Sequence, residues 1–367
     1  MAKLFPGVRS GYGAVWLVGA VFIFGLRTGN AGGAELPDIP VVAHVQLVGL
    51  GIGRLVSDLA FDKVASSALG SLEAEGPWRN GNASIGSDAA YASSKRYATC
   101  SPFTLGGNLA AFAAADGGLS EFGTRHGGEI DLDHLGILAG LGWRGNTGIG
   151  QMLLGGYLNG GIGRYDSEFA GRAYAKNDRF HHFGTGLFAR YDVGNGMYAE
   201  GGGHLGRSII KFDGISSLGI AFTQRSTHFG LGIGGGYVFD VRTIKLDISA
   251  RYQWAGAVGK NLAFPGYSPF QMDTAHSHRT RLGAKAVFAA GRVSPYAGAA
   301  LEYEFQGKSN GQVFGYAVKE ASFRGATGIG EIGVRYASGI IQADLSIQGY
   351  LGKRRGFSAG LGVGVSF

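Results

Sequence analysis

The chain has 367 residues, 69 of them Gly, and 33 Lys plus Arg against 26 Asp plus Glu give a formal net charge of +7. Charged residues are 16%, below the ~25% usual for soluble domains, while apolar residues stand at 45% and aromatics at 12%. That profile excludes a disordered chain, which is charge-rich and aromatic-poor. A collagen is excluded because Gly holds no third-position repeat and Pro numbers only 8, and the single Cys100 excludes a disulfide framework or a zinc ribbon. What remains is a strand-rich protein with Gly inside its strands.

Residues 1–34 read as a secretory leader. Lys3 and Arg9 form a basic start, an apolar run follows from Ala14 to Leu26, and small residues lie near Ala31 and Ala34 where a peptidase can cut. The competing reading, a helical membrane anchor, needs ~20 apolar residues and finds a shorter run closed by Arg27. Residues 35–74 form a short amino-terminal segment. Within it, 52–66 sets Ile52, Leu55, Val56, Leu59 and Lys63 at helical spacing around Asp58 and Asp62, which predicts a short helix. Gly49, Gly51 and Gly53 disfavour an earlier start. Residues 74–100 are polar and turn-rich.

Period-two alternation then dominates. Strands are predicted at 103–114, 134–144, 149–163, 180–191, 197–210, 224–239, 243–255, 278–289, 294–306, 322–336, 340–351 and 357–367. In 243–254, Ile244, Leu246, Ile248, Ala250, Tyr252 and Trp254 share one face, with Lys245, Asp247, Ser249, Arg251 and Gln253 on the other. In 341–348, Ile341, Ala343, Leu345 and Ile347 oppose Gln342, Asp344, Ser346 and Gln348. A soluble sandwich would turn the apolar face to its core, whereas a membrane barrel turns it to lipid.

Three features favour the barrel. Short turns at 145–148, 192–196, 240–242, 290–293 and 337–339 alternate with longer loops at 115–133, 164–179, 211–223, 256–277 and 307–321, as when one rim faces the periplasm. The last loop, 352–356, is short where a long one is expected. Aromatic residues form two belts: Trp143, Tyr191, Tyr237, Phe239, Tyr336 and Phe367 at the short turns, and Trp254, Phe305 and Tyr350 at the other end. From Ile244 to Trp254 is roughly 33 Å of strand, or about 25 Å of height at ~40° tilt, the thickness of an outer-membrane hydrocarbon band. Finally, Gly230, Gly232, Gly234 and Gly236, like Gly360, Gly362 and Gly364, lie on one strand face and leave room in the lumen for something wider than side chains. A general bias towards Gly is the plainer alternative. The 52–66 helix is the candidate occupant.

Strand number, the paired segments 180–191 and 197–205 across a tight turn, and the ending Gly-Leu-Gly-Val-Gly-Val-Ser-Phe together resemble the translocator barrel of autotransporters, the type V secreted proteins of Gram-negative bacteria. The likeness covers 75–367. It implies an all-β fold, a twelve-stranded antiparallel transmembrane β-barrel in the outer membrane, with secretion or surface display of a passenger as its work and no catalytic activity. It also implies that Leu361, Val363, Val365 and Phe367 form the signal read by the barrel assembly machinery, through strand addition at a free edge. Outer-membrane lipid is the other implied partner, around a monomeric barrel. The chain departs from the family in carrying about 65 residues (35–100) where a passenger of hundreds is usual, and it has no Asn-Asn pair matching the intrabarrel self-cleavage of some members.

Other constellations point nowhere firm. Glu129, Asp131, Asp133 and His134 offer cation ligands without EF-hand spacing, and a polar strand start explains them equally. His181 and His182 point to opposite faces, and His276 and His278 share a face without a third ligand. Neither a metal nor a cofactor is expected, and no nucleophile with a base can be placed. The basic residues are scattered singly, which argues against nucleic acid as a partner. Lys245, Asp247, Arg251, Lys285, Glu302, Glu304, Glu331, Arg335 and Asp344 fall on the predicted inner face, where mutual pairing is the first expectation and a selectivity filter the second. The alternative function is a stand-alone channel or adhesive barrel meeting a partner through 256–277, with Phe264, Tyr267 and Phe270.

Overall fold

The computed structural model describes residues 41–64, 109–124, 128–147, 149–169, 172–215, 220–262, 270–288, 291–313, 316–317 and 321–366. The leader, the 65–108 stretch with Cys100, and Phe367 lie outside the described residues, as do Phe264 and Tyr267. Twelve long strands follow one helix: β1 (Leu109–Gly123), β2 (Gly128–Thr147), β3 (Gly150–Phe169), β4 (Arg172–Asp192), β5 (Met197–Ile215), β6 (Ile220–Val241), β7 (Ile244–Ala257), β8 (Ala275–Phe288), β9 (Val293–Glu304), β10 (Gly325–Ser338), β11 (Ile341–Gly352) and β12 (Arg354–Ser366). Each pairs antiparallel with its sequence neighbour. β12 closes the ring on β1, in register from Ala110↔Ser366 to Phe122↔Arg354. Closure leaves no strand edge, which is what a sheet in hydrocarbon requires.

The outer wall carries the apolar band. Leu135, Ile137, Leu141, Leu158, Ile162, Leu187, Leu205, Ile233, Leu282, Leu301, Ile332, Leu345 and Leu361 are all exposed. Trp143, Tyr237, Phe239 and Tyr336 border it at the short turns, with Trp254, Tyr303 and Phe305 at the opposite end. Tyr350 is a correction to the expected belt. It has the parity of Gln348, so it faces the lumen, where its hydroxyl donates to Gln348 Oε1 at 2.8 Å.

Most of the long loops are corrected too. The strands run on well beyond the apolar band, so 115–133, 164–179 and 211–223 are largely sheet, and the first strand continues past its expected end at 114 to Gly123. The reason is an inversion of polarity along single strands. In β2, Leu135, Ile137 and Leu141 point outward, while nearer the rim the outward residues are Asp131 and Asp133 and the buried ones are Ile130 and Leu132. The backbone keeps one period of two; the solvent changes. Lipid surrounds the lower wall and water the upper, while the upper lumen is filled by an apolar core. Among the described residues, 258–274 and 305–324 stay outside the long strands and carry short strand pieces at Asn261–Leu262, Phe270–Met272, Lys308–Ser309, Gly311–Val313, Tyr316–Ala317 and Ala321–Ser322.

The core is the helix α1 (Val41–Leu59), continued by a single wide turn at Ala60–Val64 inside the barrel. It starts eleven residues before the sequence-based start at 52. Gly49, Gly51 and Gly53 lower its intrinsic propensity, but they sit where the wall comes close. A Cβ on Gly51 would lie 2.9 Å from Leu132 Cδ1. Tertiary packing therefore overrides propensity here. Leu47, Val48, Leu50, Ile52, Leu55 and Val56 pack on Phe122, Ile130, Leu132, Tyr165, Phe180, Ile210, Phe212 and Phe323. Each such fully buried side chain contributes about 1.5–3 kcal/mol.

Candidate functional site in the barrel lumen

The helix enters the long-loop end and descends. At that end Gln46 Nε2 donates to the Ala257 carbonyl (2.8 Å) at the end of β7, and Gln224 Nε2 on β6 donates to Gln46 Oε1 (3.1 Å). One side chain thus satisfies both of its amide functions on the wall.

Below this apolar tier lies an ionic one. Asp58 takes Arg354 Nη1 on one oxygen (2.9 Å), and Arg279 Nη1 (2.9 Å) and Arg281 Nη2 (3.1 Å) on the other. A turn further, Asp62 receives Arg251 Nη1 at 2.7 Å and Arg281 Nη1 at 3.0 Å. In the opposite sense, Arg54 Nη2 donates to Glu302 Oε1 at 2.9 Å, with Glu304 at 3.6 Å. Arg251 Nη2 also reaches Glu200 at 2.7 Å. Five guanidiniums thus meet five carboxylates, three of the ten groups supplied by the helix. Buried charge is tolerated only when paired and hydrogen-bonded in this way. Such a network contributes registry more than net stability, because desolvation offsets most of the Coulombic gain.

The third tier is open. Phe61 and Asp62 cap a cavity of about 230 Å³ towards the short-turn end, lined by Arg190, Tyr198, Glu200, Lys245, Asp247, Arg251, Lys285, Glu331 and Arg335. Here the charges pair across the wall: Lys285 Nζ lies 2.8 Å from Glu331 Oε2, and Arg335 Nε lies 3.8 Å from Asp344 Oδ2. All nine charged residues placed on the inner face from the alternation are on it; Lys285–Glu331 and Arg335–Asp344 pair mutually as expected, whereas Arg251, Glu302 and Glu304 are drawn instead into the ionic tier with the helix and other wall residues.

Sequence reasoning missed Arg190, Glu200, Arg279, Arg281 and Arg354. Parity marks all five as inward, so the signal was present; Asp58 and Asp62 already stood in the expected 52–66 helix, but nothing in the sequence set which wall residues they would meet. It also missed an arc of inward histidines, His182, His204 and His228, with ring centroids 6.0 Å (His182–His228) and 5.7 Å (His204–His228) apart. As expected, His181 faces out and His182 in. His276 and His278 share the outer face, each stacked on Trp254, and His278 Nδ1 meets the Tyr252 hydroxyl at 2.6 Å.

The set Glu129, Asp131, Asp133 and His134 does not converge. His134 turns into the lumen, with Nε2 at 3.5 Å from Asp116, while the carboxylates stay outside. Glu129 and Asp131 instead gather with Glu121 on the outer rim beyond the apolar band, beside Arg355, which pairs with Glu121. A proton shared with Glu121, together with partial burial, pushes Glu129 up to about 7, and burial followed by the Glu121 charge raises Asp131 to about 6. A raised carboxyl opposes folding as pH climbs from its ordinary 4.5 towards 7 and adds a constant penalty above that. Glu129→Gln is therefore expected to flatten the decline in melting temperature between pH 5 and 8. An unchanged slope in thermal melts would remove Glu129 from this role.

A family model described as autotransporter beta-domain matches residues 111–363. Among solved structures, the beta domain of the Bordetella autotransporter BrkA aligns with a TM-score of 0.57 at 18% identity, over 71% of this chain and 100% of that one. The transport unit of the autotransporter AIDA-I from Escherichia coli gives 0.60 at 15% identity, over 70% and 90%. The translocator domain of the autotransporter NalP from Neisseria meningitidis gives 0.56 at 15% identity, over 90% and 100%. These identities speak to fold alone. No curated protein sequence matches the chain.

Proposed function

Because the chain belongs to the autotransporter beta-domain family and is an outer-membrane barrel of a Gram-negative bacterium, we propose that it displays or secretes polypeptide attached ahead of its lumen helix. One observation carries this reading: the direction of α1. Gln46 is held at the long-loop ends of β6 and β7, whereas Phe61 and Asp62 border the cavity at the short-turn side. The barrel's short turns face the periplasm, so whatever precedes Val41 leaves at the cell surface. The inner wall moves and holds polypeptide and performs no catalytic step.

The leader over 1–34 and a monomeric, lipid-surrounded barrel are parts of the same proposal. So is recognition of Leu361, Val363, Val365 and Phe367 by the assembly machinery. It is supported by the exposure of Leu361 and Val363 on the outer face of β12, the strand that closes the ring. The test is a reporter inserted after residue 35 in living cells treated with external protease. Loss of the reporter with the barrel intact is expected; a protected reporter would overturn display.

A further inference from the structure

Above the apolar band, the outer wall divides by charge. On β1–β3 the outward residues include Glu121, Asp131, Asp133, Asp166 and Glu168. On β4–β6 they are Lys176, Arg179, Arg207, Lys211 and Arg225, all exposed, with Asp213 the one carboxylate among them in the described stretch. The register packs these cations together. Arg164 on β3 lies directly opposite Arg179, Phe180 pairs with Ile210 so that Lys211 continues the row, and Ile209, two residues below Lys211, lies opposite Arg225. A register shift between β3 and β4 at Asn177, which has a positive φ of 58° and donates its N–H to Asp166, leaves both Lys176 and Arg179 on the outer face.

Like charges facing one another across strands destabilise a sheet. Among the described residues none of these five cations forms an ion pair. An external anion would relieve the opposition. The height says which one. Leu205 and Phe229 lie side by side in the apolar band. Arg207 stands two residues above Leu205, Arg225 four residues from Phe229, and Lys211 six above Leu205. At ~3.3 Å per residue and ~40° tilt that is about 5, 10 and 15 Å above the Leu205–Phe229 level. This is the depth of lipid headgroups, on the leaflet that faces away from the short turns.

We propose that the β4–β6 wall is a docking surface for a phosphorylated lipid headgroup of the outer leaflet, with Arg179, Lys211 and Arg225 as its phosphate ligands and Arg207 at the acyl boundary. Phosphate monoesters carry about −1.5 to −2 each and take guanidinium pairs bidentately. A headgroup bearing two of them matches a patch some 10 Å tall better than a single diester does.

The test is native mass spectrometry of the full chain in neutral detergent, titrated with bis-phosphorylated lipid A, its monophosphoryl form, phosphatidylglycerol and phosphatidylethanolamine. Lipid A is expected to bind most tightly and phosphatidylethanolamine least, with affinity falling as salt rises. At about one surface charge's contribution per residue, the triple variant Arg179→Gln, Lys211→Gln, Arg225→Gln loses on the order of 100-fold in lipid A affinity. Glu129→Gln with Asp131→Asn on the acidic outer face of β2 leaves it unchanged. Should the triple variant misfold by circular dichroism, Arg225→Gln alone is expected to lose several-fold. Lipid A affinity within threefold of wild type in the triple variant, or in Arg225→Gln where that replaces it, or equal binding of phosphatidylethanolamine, would overturn the proposal. Displacement of lipid A by equimolar inorganic phosphate would also overturn it, by showing a free-anion site.

Discussion

Asp58→Asn is expected to unseat the lumen helix. Asp58, like Glu302, is contacted by three guanidiniums, here Arg279, Arg281 and Arg354, and its side chain is 9% exposed. Asparagine keeps the shape and removes the charge. Arg354 then retains its stack on Tyr350 at 3.7 Å and its bonds to Ser120, but no carboxylate among its recorded partners. Breaking one member of a buried ionic network costs about 3–5 kcal/mol, chiefly because the partners are left buried and uncompensated. The wall arginines recover their hydration only if the helix withdraws, since the cavity beneath Phe61 and Asp62 then extends up to them. The population with an open lumen should rise at least 100-fold. Planar-bilayer conductance is one readout. The other is maleimide labelling of Ser57→Cys in a Cys100→Ser background, because Ser57 is 1% exposed while the helix is seated. Lys285→Met, which removes a half-exposed pair with Glu331, should change both by little. If Asp58→Asn labels and conducts like its parent, the ionic tier does not hold the helix.

That ionic tier was half legible in the sequence. The wall side of it follows from strand parity alone: a residue two positions from Lys245 or Glu302 shares its face, and both ladders show it as predicted. The helix side was visible only in part. Arg54, Asp58 and Asp62 lay inside the expected 52–66 helix, but Gln46 lies in a Gly-interrupted run whose helical state depends on a wall it meets only in the folded protein. The upper strands were hidden for a related reason. A period-two reading takes apolar as one side and polar as the other, and in β2 those labels exchange between Leu132 and Leu135 because lipid outside gives way to water just where a dry core fills the inside. Tyr350 shows the converse. It was assigned to a belt by its position near a strand end, although its parity already placed it beside Gln348 in the lumen.

Gly232→Leu should be the stronger steric counterpart, and its rescue separates packing from a general weakening of the sheet. Gly232 faces the lumen on β6, and a Cβ there would lie 2.2 Å from Phe61 Cζ and 2.5 Å from Cε2. Those are overlaps with a ring wedged between the helix end and the wall, where Arg251 already lies 5.5 Å from the ring centroid. Taken alone, replacing a strand Gly by Leu favours the sheet. Any loss must therefore come from the occupant. Overpacking of this size costs about 1–3 kcal/mol. The variant relieves the clash by letting the Ala60–Val64 turn lift away, which exposes Asp62 and weakens its bonds to Arg251 and Arg281. Labelling of Ser57→Cys and conductance should both rise well above the parent. Phe61→Ala in the same chain opens the volume that leucine needs. The double variant should return towards wild type, with a coupling of about 1–3 kcal/mol in the stabilising direction. Additive losses in the double variant would mean that leucine damages β6 itself and that the glycine face was not kept clear for the helix.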